Sequence, residues 1–176
     1  PGLQRTSLRS PLKPRLGRFK LTMYEVANIH GRTYTATSLT DEGSIADPLP
    51  GVFFPCLIWD HDGCSPAHVR SAVARALLEA GCRYVVCGGR DCEAWHDAVD
   101  WEFVNTHLDD PTEVTDAAHV MTSWHNGETP DDVAFFFVLN TNFDDHDFRT
   151  FLVLHVGNGP DHERLEREVV VLGQAR

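Results

Sequence analysis

Apolar positions along this chain come in two spacings, short continuous runs and helical stripes, and they alternate. Cys56–Asp60 (CLIWD) and Arg83–Gly88 (RYVVCG) are short runs bounded by turn residues, the pattern of strands covered on both faces. His119–Ser123 (HVMTS) and Phe148–Val156 (FRTFLVLHV) read the same way. Between the first two runs, Val69, Val73, Ala76, Leu77 and Ala80 recur at helical spacing before Gly81. Ser65 is placed to cap that helix, with Pro66 at its first position. A second stripe, Cys92, Trp95, Val99 and Phe103, follows Asp91 as its expected cap, and Glu93, Asp97 and Asp100 face water. Thr129-Pro130-Asp131-Asp132 opens a third helix through Val133–Leu139, an apolar run that a strand would also fit. Asp161–Leu172 is the last helix.

This order predicts an α/β fold of three layers, a mostly parallel sheet of about four core strands with helices on both faces, Rossmann-like in outline. Tyr24–Ser38 adds an N-terminal hairpin or edge strand around His30-Gly31, and residues 41–55 read as loop. The expected layout is a basic arm over residues 1–22, a disordered or upstream extension before Met23, and one α/β domain over 23–176 with its core at 52–172. The 42% of hydrophobic residues in 176 suffices for such a core.

Charge narrows the partners. Residues 1–22 hold six of the fifteen Lys+Arg and no acid; the remainder sets nine arginines against 26 acids, a net −17. That excludes a nucleic-acid surface on the domain and leaves a protein with a basic surface as a partner. No apolar run reaches the roughly 20 residues of a membrane span. Five cysteines, an odd count clustered in the α/β core, predict reduced thiols and a cytoplasmic setting. Oligomeric state is not legible.

In a parallel sheet, ligands collect at the carboxyl ends of the strands. Four segments end there: Asp60-His61-Asp62-Gly63-Cys64, Gly88-Gly89-Arg90-Asp91-Cys92, Thr122-Ser123-Trp124-His125 and Gly157-Asn158-Gly159. They supply the catalytic candidates Asp60, Asp62, Asp91 and His125, and the ligand-binding candidates His61, Gly88, Gly89, Arg90, Ser123 and Asn158. Gly88-Gly89-Arg90 before a helix could cradle an anion, although no dinucleotide or Walker loop is present. Cys64 and Cys92 near helix starts are thiol candidates. Cys92 and His96, four apart, could join Cys87, Cys64 or His61 around an ion, but no spacing matches a zinc pattern, so no metal ligands are assigned. His155, inside a strand, reads as a satisfied core histidine.

Two resemblances follow from these residues. LIWDHDG resembles the first motif of the haloacid dehalogenase superfamily, and VMTS (Val120–Ser123) imitates its second. The resemblance implies Asp60 as nucleophile toward phosphate, Asp62 as general acid/base and Mg²⁺ between them. That family also needs a lysine, and none follows Lys20. CGGRDCEAWHD (Cys87–Asp97) with VMTSWHNGE (Val120–Glu128) resembles a group of uncharacterised small bacterial proteins, a domain of unknown function, over roughly residues 54–172. The sequence reading is a small acidic protein-binding or accessory module; its alternative is a hydrolase or phosphoryl-transfer enzyme at the strand ends, with Mg the only cofactor implied.

Overall fold

The computed structural model describes residues 23–39, 52–107, 118–142 and 146–176. The expected arm at 1–22 and most of the expected loop at 41–55 lie outside these. Six strands and four helices follow one another as β1 (Tyr24–Ile29), β2 (Arg32–Leu39), β3 (Phe54–Asp60), α1 (Ala67–Glu79), β4 (Cys82–Gly89), α2 (Cys92–Thr106), β5 (Met121–Trp124), α3 (Pro130–Asn140), β6 (Thr150–Val156) and α4 (His162–Ala175). The sheet order is β1-β2-β6-β3-β4-β5. Only β1 with β2 is antiparallel; every other pair is parallel. The three-layer expectation holds, with the hairpin adding two strands to the four of the core.

Both faces of the sheet are covered, which is why β3 is buried at all seven positions and reads as a continuous apolar run. Alternate side chains serve opposite layers. Phe54, Cys56 and Ile58 pack with Val73 and Leu77 of α1 and Trp95 and Val99 of α2. Leu57 and Trp59 pack with Val133 and Phe137 of α3 and Leu165 and Val169 of α4. Each large apolar side chain buried this way contributes about 1.5–3 kcal/mol.

The helix starts differ from expectation in instructive ways. Ser65 caps nothing: α1 begins at Ala67 behind Pro66, without a side-chain cap, and the Ser65 carbonyl accepts from Arg70 Nη1 at 2.5 Å. Asp91 stands at the start of α2 with φ 52° and makes no cap bond, because its carboxylate is taken by Arg70 Nη1 at 2.9 Å. Thr129 and Asp132 do form a reciprocal capping box, with Pro130 in the first turn. That start settles Val133–Leu139 as helix. Phe54 and Pro55, read as loop, belong to β3, and β6 begins at Thr150 rather than Phe148. No helix among the described residues is long and apolar enough to cross a membrane.

Candidate functional site

The sheet changes direction between β3 and β6. From β3 the chain moves outward through β4 to β5, with α1 and α2 on one face; β6 returns to the other side of β3 and leads into α4 on the opposite face. The carboxyl ends of β3 and β6 therefore border a crevice of the kind in which open α/β sheets bind ligands.

Three imidazoles meet there. His61 follows β3, His155 is the penultimate residue of β6, and His162 is the first residue of α4. One nitrogen from each lies within 4.8 Å of the other two. His155 is fully buried; His61 and His162 lie at the opening. His61 Nε2 is 3.1 Å from His155 Nδ1, and His155 Nε2 is 3.2 Å from Glu166 Oε1. The same Glu166 oxygen lies 3.1 Å from His162 Nε2 and accepts the Tyr24 hydroxyl. The rings stack, His155 on His162 with centroids 3.6 Å apart.

Loop glycines let these rings approach the backbone. A Cβ on Gly159 would sit 2.5 Å from His61 Nδ1, and one on Gly157, where φ is +71°, would sit 2.4 Å from Asp62 Oδ2.

The protons in this chain are assigned from the network. Glu166 can only accept, so His155 Nε2 carries the proton toward it. His155 Nδ1 is then a lone pair, and His61 Nε2–H donates to it. His61 Nδ1 is left as a second lone pair, buried and without a partner. The electrostatics of His61 and His155 agree with neutral rings at those two positions. Burial, then His155 and His162, push His61 down to about 4, against the opposing charges of Asp161 and Asp62. Burial also lowers His155 despite its bond to Glu166. For Glu166, burial acts to raise the carboxyl, but hydrogen bonds from His155 and Tyr24 outweigh it and hold it below the ordinary value.

Asp60 does not join this site. It is fully buried and its oxygens are occupied: Oδ1 accepts the backbone N–H of Asp62 (3.2 Å) and Gly63 (2.8 Å), and Oδ2 accepts the Trp95 indole N–H at 2.7 Å. Asp62 accepts the Cys64 N–H at 2.9 Å. Asp60 is thus enclosed, whereas the Asp62 carboxylate is exposed. Gly88 and Gly89 serve packing: a Cβ on Gly88 would press on the Trp59 ring at 2.8 Å, and one on Gly89 would lie 2.2 Å from the Asp60 carbonyl oxygen. The Arg90 N–H donates to that same carbonyl at 2.7 Å. Arg90 and Asn158 are exposed.

Ser123 and His125 do come together, at the end of β5, with Ser123 Oγ 3.2 Å from His125 Nε2. The thiols do not form a site. Burial raises Cys56, Cys87 and Cys92, and pushes Cys82 up to about 12. His96 turns instead to Asp97, Asp100 and the Trp124 ring. At the opposite edge of the sheet, a cavity of about 250 Å³ between α1 and α2 is lined by Arg75, Leu78, Phe103 and Val120, with no cluster of ligating groups among the described residues.

Residues 34–171 match the model of one family, a domain of unknown function. No curated protein and no solved structure matches the chain.

Proposed function

The chain belongs to the DUF7684 family of domains of unknown function, and from the crevice between β3 and β6 we propose that this member binds a divalent transition-metal ion of the zinc class. One observation carries the reading: His61 Nε2 and His155 Nδ1 stand 3.1 Å apart, while Glu166 holds the far nitrogen of His155. Bonds of about 2.0–2.1 Å to a tetrahedral ion put two nitrogens roughly 3.3 Å apart. A carboxylate on the other nitrogen of a ligating histidine fixes its tautomer and raises its basicity. His162, which now stacks on His155 with its Nε2 3.1 Å from both Glu166 and the Tyr24 hydroxyl, supplies the third ligand once its ring turns out of that stack.

The lowered His61 and His155 suit the ion, because neither must lose a proton before it binds. A proton shifted to His61 Nδ1 would have the Asp62 and Asp161 charges beside it. Imidazoles favour zinc, copper or nickel; Mg²⁺ prefers oxygen, so the Mg²⁺ of the phosphoryl-transfer alternative suits this donor set poorly. Three protein ligands leave a fourth position for water or substrate, which links the metal reading to hydrolysis.

Isothermal titration of the full chain with Zn²⁺ tests this. The expected result is one ion per chain, bound at least tenfold more weakly by His61→Ala and by His162→Ala. Binding unaffected by both substitutions, or no saturable binding, would overturn it.

A second reading, docking on a basic protein surface, is supported by Trp101 and Trp124, 63% and 50% exposed, near the acids Asp97 and Asp100. Titration with an arginine-rich peptide should change the tryptophan emission, and Trp101→Ala with Trp124→Ala should remove the change. A peptide that leaves the emission unaltered would count against docking.

A further inference from the structure

Apart from the imidazole cluster, a second constellation lies at the carboxyl end of β5, and it uses none of the same residues. Ser123 Oγ is 3.2 Å from His125 Nε2, and His125 Nδ1 is 2.9 Å from Glu128 Oε2. Hydroxyl, imidazole and carboxylate stand in line, each within hydrogen-bond reach of the next. His125 is only 7% exposed, so its ring is held; Phe136 packs against it with centroids 4.6 Å apart. The His125 N–H donates to the Cys87 carbonyl at 2.9 Å, which fixes its backbone to β4. Ser123 is half-buried, and the Tyr84 hydroxyl is hydrogen-bonded to it. Gly127, between the histidine and the carboxylate, has open space beside it.

We propose that Ser123 is a nucleophile toward uncharged carboxylic esters, with His125 as its base and Glu128 as the positioning residue. The functional requirement is a weak nucleophile in contact with a base that a third group orients, and all three relations are present. A tie between β5 and α3 would account for His125 with Glu128. It would not call for a serine hydroxyl on the other ring nitrogen, nor for a tyrosine hydroxyl at that serine. Tyr84 and Phe136 give the site an aromatic lining, and Glu128 disfavours an anionic substrate.

Chemically, Ser123 Oγ forms a bond to the ester carbonyl carbon while its proton passes to His125 Nε2. Glu128, accepting from Nδ1–H, keeps the Nε2 lone pair aimed at the serine. Tyr84 donates to the oxygen that becomes negative. Collapse of the tetrahedral intermediate breaks the bond to the leaving alcohol, which takes the proton from Nε2. Water then adds to the acyl-serine with His125 as base, the Oγ–acyl bond breaks, and Oγ recovers its proton as the carboxylic acid leaves.

The test uses the full chain in the presence of a chelator, which removes metal-dependent hydrolysis at the imidazole cluster, and in a His61→Ala background, which lowers attack by a free imidazole there. A fluorophosphonate probe and p-nitrophenyl acetate are the reagents. The expected result is one phosphonyl group per chain on Ser123 by peptide mass, with fluoride released. An initial burst of p-nitrophenol should be lost in Ser123→Ala and His125→Ala variants whose thermal melts match the parent. Glu128→Gln should slow acylation about tenfold or more, and Glu128→Asp should recover part of the rate. Labelling at another residue, no labelling, or a burst that survives Ser123→Ala would overturn the proposal.

Discussion

Asp60 accepts the indole N–H of Trp95 at 2.7 Å in the interior of the protein, tying the end of β3 to the first turn of α2. Two backbone N–H groups of the following turn complete the shell of that carboxylate. The aspartate that resembles a nucleophile is thus a structural acceptor for three donors. Removing it strands all three, and a neutral donor left unsatisfied in the interior costs about 1–3 kcal/mol. Asp60→Ala should lower stability by that order in urea unfolding. Asp60→Asn should cost less, because its amide oxygen can keep the backbone donors and only the indole N–H, now facing an NH₂ donor, loses its acceptor. An Asp60→Ala protein as stable as the parent would contradict the assignment.

Second, Glu166 should matter to metal affinity although it is not assigned as a ligand. Substitution of a carboxylate behind a ligating histidine typically costs 10–100-fold. Glu166→Gln should weaken Zn²⁺ binding by about that factor in competition with a chromophoric chelator, and Tyr24→Phe should weaken it less.

Third, the imidazole cluster predicts the sign of a pH dependence in metal-free protein. His61 is held at about 4 in the folded state, against 6.5 ordinarily. Between those values the unfolded chain takes up a proton that the folded chain refuses. Stability from this group is complete above about pH 6.5 and is lost as the pH falls toward 4; His155 acts with the same sign. Urea midpoints measured across that window should fall with pH, and His61→Gln should flatten the slope. A midpoint that rose on acidification would reverse the argument.

Fourth, the two kinds of turn glycine should separate cleanly. Gly89 has φ +79°, and a Cβ there meets the Asp60 carbonyl oxygen at 2.2 Å; Gly127 has φ +75° and no neighbour within 4 Å. Gly127→Ala should cost only the left-handed backbone term, about 1–2 kcal/mol. Gly89→Ala adds a clash with backbone and should cost clearly more, read from thermal or urea unfolding.

Fifth, thiol titration should count one reactive cysteine. Cys64 is exposed and the other four are buried. A disulfide reagent at neutral pH should modify one thiol per native chain, none in Cys64→Ser, and all five of the parent after unfolding.

Much of the fold was legible because periodicity reports burial directly. CLIWD and RYVVCG are short apolar runs between turn residues, as covered strands require, whereas the equally apolar Val133–Leu139 was separated from a strand only by its helix start. The Thr129–Asp132 start was legible because a capping box is local. The candidate metal site was not. His61 and His155 are 94 residues apart and meet only because β6 pairs with β3. Strand order is a tertiary fact, and nothing in either segment announces it. His155 was visible as an odd polar residue in an apolar strand, which was the one available signal. The Asp91 cap failed for a similar reason: Arg70, a helix away, takes its carboxylate. Ser123, His125 and Glu128 lie within six residues, yet His125 and Ser123 were legible only as strand-end polar residues. Their alignment depends on the backbone at the end of β5.

The position of β6 also constrains the order of assembly. The last strand in the chain is the one that joins β2 to β3, so the hairpin and the β3–β4–β5 half share no strand contact until it inserts. His155 lies on the strand that joins them. The same pairing of β6 with β3 thus completes the sheet and brings His155 to His61.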